Sequence, residues 1–388
     1  MRRRLILLTA LVLTACNAAR TPLSLQVVSS EMARNPEASW LDGQQGKLKW
    51  NYTTGLELKA FLDVYDAYGG DEILAYVDNW YDAIIDSAGT IYNYKKSNFS
   101  TDHVCPGRTL FRLYDLTGKE KYRKAVDVLY DQLKDQPRTP EGGFWHKQVY
   151  PQQMWLDGLY MAQPFYAEYA VRFLPETERD AAFTDIARHF LVVAEHTFDP
   201  LTGLYRHAWD SSHEMFWADP LTGQSAHAWG RALGWYAMGL SEVLDIFPAD
   251  HADRPSLEAV FRHILEVLPQ YADPETGLWY QVLDRPGAEG NYLESTCSCM
   301  FTYVYLKAAR QGWDLTIDPR ALYDSLVCAF VREEPDGTVT LTDCCAVAGL
   351  GGKENRSGDY DYYIHEKITE NDPKGIGPLI WAALETER

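Results

Sequence analysis

The chain has 388 residues, 46% hydrophobic and 13% aromatic, with a formal net charge of −19. That is ample for a large buried core and too apolar for a disordered chain. The acidic balance repels polyanions at long range and excludes nucleic acid as a partner, whereas an anionic sugar bound locally is compatible with it because exposed charges are screened within about 8 Å at physiological salt.

Residues 1–16 read as a targeting segment. Arg2-Arg3-Arg4 gives the charged start, and Leu5 to Leu13 an apolar run too short to span a bilayer. It ends in Leu13-Thr14-Ala15-Cys16, which resembles the lipobox of bacterial lipoproteins. The expectation is a signal peptide over 1–15, lipidation of Cys16, a short linker over 16–23 and one catalytic domain over 24–388. The protein would then be exported to the cell envelope and held at the periplasmic face or outer membrane by its lipid alone. An ordinary secretory signal cut after a small residue is the alternative. Cleavage before Cys16 removes three arginines and no acids, lowering the net charge to about −22.

Helical periodicity dominates the rest. Leu56, Phe61, Leu62, Val64, Tyr65 and Tyr68 form one apolar stripe; Tyr76, Val77, Trp80 and Ile84 form the next. Further helices are predicted near 24–34, 106–117, 119–135, 158–174, 179–197, 227–247, 255–271, 294–311, 319–332 and 375–387. Gly69-Gly70 and Pro175 punctuate them. Between helix pairs a glycine turn followed by an aromatic or branched residue recurs, at Gly46, Gly89, Gly143, Gly203, Gly277 and Gly337, spaced 43 to 74 residues apart. Repeats of that size hold two helices each. About twelve helices in six hairpins predict an all-α (α/α)6 barrel, with short β-turn or hairpin segments at the end where the turns meet. Polar and aromatic residues follow the turns, so a site is expected on that rim.

Six cysteines follow the targeting segment: Cys105, Cys297, Cys299, Cys328, Cys344 and Cys345. Their Cys-x-Cys and vicinal spacings suit neither disulfides nor zinc, so they read mainly as small buried hydrophobes and no metal is indicated. No P-loop, dinucleotide fingerprint, His-Glu-x-x-His or Ser-His-Asp order appears. Gly349-Leu-Gly-Gly352 alone carries no phosphate site.

Three stretches could carry chemistry. Asp157, in Trp155-Leu-Asp157-Gly-Leu-Tyr-Met161, can be a helix N-cap, an acid whose pKa is raised by desolvation among aromatics, or both. Arg231 and Trp235 share one face of a helix apolar nearly all round, and a buried guanidinium needs an anion, from a ligand or from the protein. Asp102, His146, Lys147 and His207 sit just after turns; each can be an ordinary capping, surface or core residue, or part of a sugar site.

Pro140-Glu-Gly-Gly-Phe-Trp-His146-Lys147, Gln153-Met-Trp155-Leu-Asp157-Gly-Leu-Tyr-Met161 with Pro164-Phe165, Trp229-Gly-Arg231 with Gly234-Trp235, and Asn371-Asp-Pro-Lys-Gly375 resemble glycoside hydrolase family 105 from about residue 45 onward. These are unsaturated rhamnogalacturonyl hydrolases, related to the unsaturated glucuronyl hydrolases of family 88. The resemblance implies an (α/α)6 barrel, no metal or organic cofactor, and hydration of the C4=C5 double bond of an unsaturated uronic acid at the non-reducing end of a lyase product. It implies Asp157 as proton donor and water activator, with Asp102 in support. Asn51, His146, Lys147, Trp155, His207, Trp229, Arg231 and Trp235 would line the sugar pocket. Asp102-His103 keeps only part of the family string, and Phe216 to Ala228 matches none of it, leaving the sugar after the uronate open. Rival expectations are a glucuronyl hydrolase acting on ulvan or glycosaminoglycan fragments, an inactive glycan-binding lipoprotein, and a helical-repeat scaffold. Oligomeric state is not legible.

Overall fold

A computed structural model describes residues 21–388; the targeting segment and Cys16 lie outside the described residues. The helices are α1 (Leu23–Arg34), α2 (Tyr52–Tyr68), α3 (Asp71–Ile84), α4 (Gly107–Thr117), α5 (Glu120–Asp135), α6 (Leu156–Phe173), α7 (Glu176–Thr197), α8 (Gly230–Ile246), α9 (Arg254–Val267), α10 (Ser295–Arg310), α11 (Pro319–Phe330), α12 (Tyr360–Ile364) and α13 (Pro373–Glu387). All twelve expected helices are present. The five-residue α12 was not expected, being too short to show a period.

Helices α2, α4, α6, α8, α10 and α13 pack each against the next and close into an inner ring. Their composition explains their place: α8 and α10 are buried on almost every side, as a helix apolar all round must be. The outer helices α3, α5, α7, α9 and α11 each pack behind the inner helix that precedes them. The sixth hairpin is made by the two chain ends, with α1 lying behind α13. There the Ser24 backbone N–H and hydroxyl donate to the two oxygens of Glu387 at 3.0 and 2.5 Å. The result is the expected (α/α)6 barrel.

Every outer helix returns to the next inner helix through one of the glycine turns. Gly46, Gly89, Gly203, Gly277 and Gly337 all have positive φ, as expected. In the remaining turn the positive φ falls on Gly142, one residue earlier than the sequence repeat suggests. Gly143 is needed for space instead, since a Cβ there would meet Met154 Sδ at 2.1 Å. Five of the turns are closed by short antiparallel pairing, at Ile85 with Ile91, Arg138 with Phe144, Phe198 with Tyr205, Ala272 with Trp279, and β3 (Val331–Glu333) with β4 (Val339–Leu341). All return at the same end of the barrel. Two further pairs lie on this rim, β1 (Gln153–Trp155) with β2 (Ala208–Asp210), and β5 (Cys344–Cys345) with β6 (Ile368–Thr369). Among the described residues all six cysteines are free thiols; five are buried as expected, but Cys328 is exposed.

Candidate active site

The rim loops are stitched together by backbone hydrogen bonds, which is why residues distant in sequence converge. Thr101 N–H donates to the carbonyl of His146 at 3.0 Å, His146 N–H to Gln153 at 2.8 Å, Leu156 N–H to His207 at 3.1 Å, and Gly230 N–H to Gln281 at 3.0 Å. Register in the β1–β2 pair sets Trp155 opposite Ala208 and so beside His207.

Asp157 occupies the first turn of α6. The N-cap position belongs to Trp155, and no side chain caps the helix, so capping is not what Asp157 does. Its Oδ2 lies 3.4 Å from His207 Nε2, and neither atom has a hydrogen-bond partner within the protein. The other ring nitrogen, His207 Nδ1, is 2.7 Å from the Tyr363 hydroxyl. Burial pushes the Asp157 carboxyl up, but the direct polar contact with His207, then the charge of His207 and last that of His146, outweigh it, and the net position is below the ordinary carboxylate value. The sequence-based expectation of a raised pKa is therefore overturned for the free protein. Aromatic surroundings desolvate this carboxylate, and the His207 imidazole beside it stabilises its charge more strongly.

His146 stands between the two candidate acids. It stacks on Trp155 with ring centroids 4.7 Å apart, receives or gives a hydrogen bond to Thr101 Oγ1 at 3.1 Å, and places Nε2 3.5 Å from Asp102. Burial drives its pKa down to about 4, so it is a neutral ring near pH 7. Asp102 pairs with Lys147. Burial raises the Asp102 pKa, yet Lys147 and His146 reverse the effect and hold it low. Lys147 is thus engaged by Asp102 and is not a free cation waiting for an anion.

Arg231 is different. It is 1% exposed, its Nη1 donates to the Cys345 carbonyl, its guanidinium carbon lies 4.7 Å from the Trp229 ring centroid, and its Nε has no partner. Among the described residues no carboxylate lies within 4.0 Å of it, since every ion pair formed involves other groups. Trp229 is fixed by its Nε1–H donating to Gln281 Oε1 at 3.0 Å. Trp235 lies edge-on to Tyr52 at 6.5 Å.

A cavity of ≈ 920 Å³ opens on this rim, lined by Asn51, Asp102 and Lys147 among others. The other expected residues connect to it by contact: His146 with Asp102 and Trp155, His207 with Asp157 and Trp229, Arg231 with Trp229, and Trp235 with Tyr52. Of the residues expected at the site, three therefore lie at the cavity surface and the others are joined to them by contacts rather than by lining it. Tyr52, which also lines the cavity, and Tyr363, which orients His207, were not anticipated. Tyr52 opens an inner helix directly after Asn51, a position the repeat could have marked; Tyr363 lies in an irregular segment with no such signal. Among the described residues, no group of three or more His, Cys, Asp or Glu side chains is arranged to hold a metal ion.

The model of Glycosyl Hydrolase Family 88 matches residues 23–388. The chain belongs to this family. A family 105 glycoside hydrolase from C. acetobutylicum ATCC 824 superimposes with a TM-score of 0.88 at 38% identity, over 94% of this chain and 99% of that one. Protein Atu3128 of Agrobacterium fabrum is 37% identical over 236 residues, 58% of this chain and 98% of its own. The unsaturated rhamnogalacturonyl hydrolase YesR of Bacillus subtilis is 29% identical over 320 residues, 80% of this chain and 82% of its own. Membership in family 88, with this likeness to family 105, makes the barrel that of a glycoside hydrolase and agrees with the resemblance read from the motifs.

Proposed function

We propose that the protein removes a 4,5-unsaturated uronic acid from the non-reducing end of oligosaccharides left by polysaccharide lyases, with rhamnogalacturonan (pectin) fragments as the natural substrates. The observation that carries this reading is Arg231, a buried guanidinium that, among the described residues, has no carboxylate within 4.0 Å, although Glu294 and Asp372 lie near enough to favour its charge. An acidic sugar supplies the missing anion, and the indole faces of Trp155 and Trp229 suit the ring. The likeness to YesR supports the rhamnogalacturonan assignment.

In the reaction, protonated Asp157 delivers its proton to C4 of the enol ether. Charge develops at C5, and the carboxylate left behind takes a proton from the water that adds there. The C5 hemiketal then opens to a ketone, leaving the ring oxygen as a hydroxyl on C1; this C1 hemiacetal collapses to an aldehyde and the next sugar leaves with its own oxygen, so that one water is consumed. Asp157 is ionised in the free protein, but a bound uronate brings negative charge and expels water, and both push the carboxyl up toward the form that donates. Asp102, held ionised by Lys147, orients His146 and accepts from ring hydroxyls.

The test follows loss of the ultraviolet absorbance of the conjugated double bond with unsaturated disaccharides from pectin, ulvan and chondroitin lyases. Fastest loss on the pectin product is expected. Preference for the ulvan or chondroitin product reassigns the enzyme to glucuronyl substrates, and no loss on any of the three contradicts the reading.

A further inference from the structure

Tyr363 lies in the short helix α12, 156 positions from His207, and is fully buried. Several contacts fix it. Its ring stacks on Trp229 with centroids 6.0 Å apart, and its carbonyl accepts from Gln281 Nε2 at 3.2 Å. Asp359 caps α12 by accepting from Tyr362 N–H at 2.8 Å. Gln281 also accepts from the Trp229 indole, so one amide sets both rings. An unsubstituted phenyl ring would fill the same space, so the hydroxyl calls for its own explanation.

Among the described residues, the one hydrogen-bond partner of that hydroxyl is His207 Nδ1, at 2.7 Å. Burial first, then Tyr362, Asp157, Asp284 and Cys345, push the phenol well above its ordinary value, so it keeps its proton. If Nδ1 carried the imidazole proton, the phenol oxygen would accept it and the phenol's own buried proton would be left unpaired, which forfeits a hydrogen bond. Donation by the phenol pairs both groups. It leaves the proton of a neutral imidazole on Nε2.

Nε2 faces Asp157 Oδ2 at 3.4 Å. With its proton there, His207 can only donate toward Asp157. In the opposite tautomer Nε2 would offer a lone pair to the same oxygen, and the acid that has to protonate a substrate would share its proton with the imidazole instead. The other groups nearby do not choose between these states. His146, from the turn before β1, and Tyr52, at the start of α2, act on Asp157 and make no hydrogen bond to His207. Trp229 and Trp155 pack against the His207 ring at 4.8 and 5.3 Å, and their indole N–H groups donate elsewhere.

We infer that Tyr363 is a positioning residue for the hydration step: its hydroxyl holds His207 in the Nε2–H tautomer and so keeps the Asp157 proton for C4 of the substrate. The inference rests on the functional reading above and adds to it the group that sets the state of His207.

The tautomer is read without turnover, from the ring-nitrogen resonances of protein carrying isotope-labelled histidine at neutral pH, with the His207 signal identified as the one lost in His207→Gln. Wild type should show a protonated Nε2 and a bare Nδ1, a result that needs no Tyr363 variant. In Tyr363→Phe, which keeps the ring on Trp229, the Nδ1–H form should appear. The same variant should lower kcat about tenfold with KM little changed, the worth of one hydrogen bond. Its descending limb of kcat/KM should lie at higher pH than that of wild type, because an Nε2 lone pair favours the protonated acid where Nε2–H favoured the carboxylate. A proton on Nδ1 in the wild type overturns the inference, as does a Tyr363→Phe protein whose tautomer and pH limb match wild type. Wild-type protein inactive on every lyase product removes the functional reading, and with it the role at C4, while the His207 tautomer is still read from the resonances, a distinct result.

Discussion

At the scale of single residues, the pairing of Asp157 with His207 decides the pH behaviour. The imidazole 3.4 Å away, assisted by His146, holds the carboxyl below its ordinary value against burial. Because kcat/KM reports the free enzyme and the reaction needs protonated Asp157, kcat/KM should fall as pH rises above that lowered value. Removing His207 leaves burial less opposed, so the Asp157 pKa moves up. The descending limb of the kcat/KM profile of His207→Gln should therefore lie at higher pH than that of wild type, whatever the change in absolute rate. An unmoved limb contradicts the coupling. Arg231 makes a separate prediction. Charge-assisted hydrogen bonds contribute about 1.5–3 kcal/mol, so Arg231→Ala should cost one to two decades in kcat/KM on the free acid and much less on its methyl ester. An undiminished preference for the acid shows that another group holds the carboxylate. Both residues were legible in sequence, Arg231 because an apolar helix cannot bury a guanidinium without reason, and Asp157 from its long aromatic string. The sign of the Asp157 shift was not legible, since His207 lies fifty residues away and reaches it only through the β1–β2 pairing.

At the scale of elements, the inner helices approach so closely that glycine is required at particular contacts. A Cβ at Gly55 on α2 would lie 2.5 Å from Pro106 Cβ and 2.6 Å from its Cα, just before α4. Backbone cannot swing aside as a flexible side chain can, so Gly55→Ala should destabilise by about 1–3 kcal/mol, read as a lower urea midpoint. An unchanged midpoint shows that α2 and α4 can part without cost. Helix positions were readable because a buried stripe with a period near 3.6 needs no knowledge of its partner. The shift of the positive φ from Gly143 to Gly142 was not readable, because adjacent glycines satisfy the same repeat and only packing against Met154 separates them. Helix α12 and the β5–β6 pair lie in an irregular stretch whose shape is set by contacts, such as Tyr363 on His207, that leave no local pattern.

At the scale of the molecule, the ring closes through its own ends, with α1 backing α13 and Ser24 bound to Glu387. The sequence repeat foretold six hairpins and could not tell that the sixth joins residues more than 360 positions apart. Because α1 starts only a few residues after Cys16, a lipid there would hold the barrel close to a membrane surface. We propose that lipidation of Cys16 anchors the protein. Wild type should then partition into the detergent phase and Cys16→Ser into the aqueous phase; identical partitioning contradicts the anchor.

Hydration at C5 by way of Asp157 is tested most directly by turnover in water labelled with heavy oxygen, using wild type and Asp157→Asn side by side on the best lyase product. Asparagine keeps the shape and, since Asp157 caps no helix, should leave the fold intact. The expected result is label in the opened keto sugar and none at the anomeric hydroxyl of the released sugar, with Asp157→Asn folded and slower by about 10²–10⁴-fold. Label at the released sugar's anomeric carbon, or substantial turnover by Asp157→Asn, would contradict it.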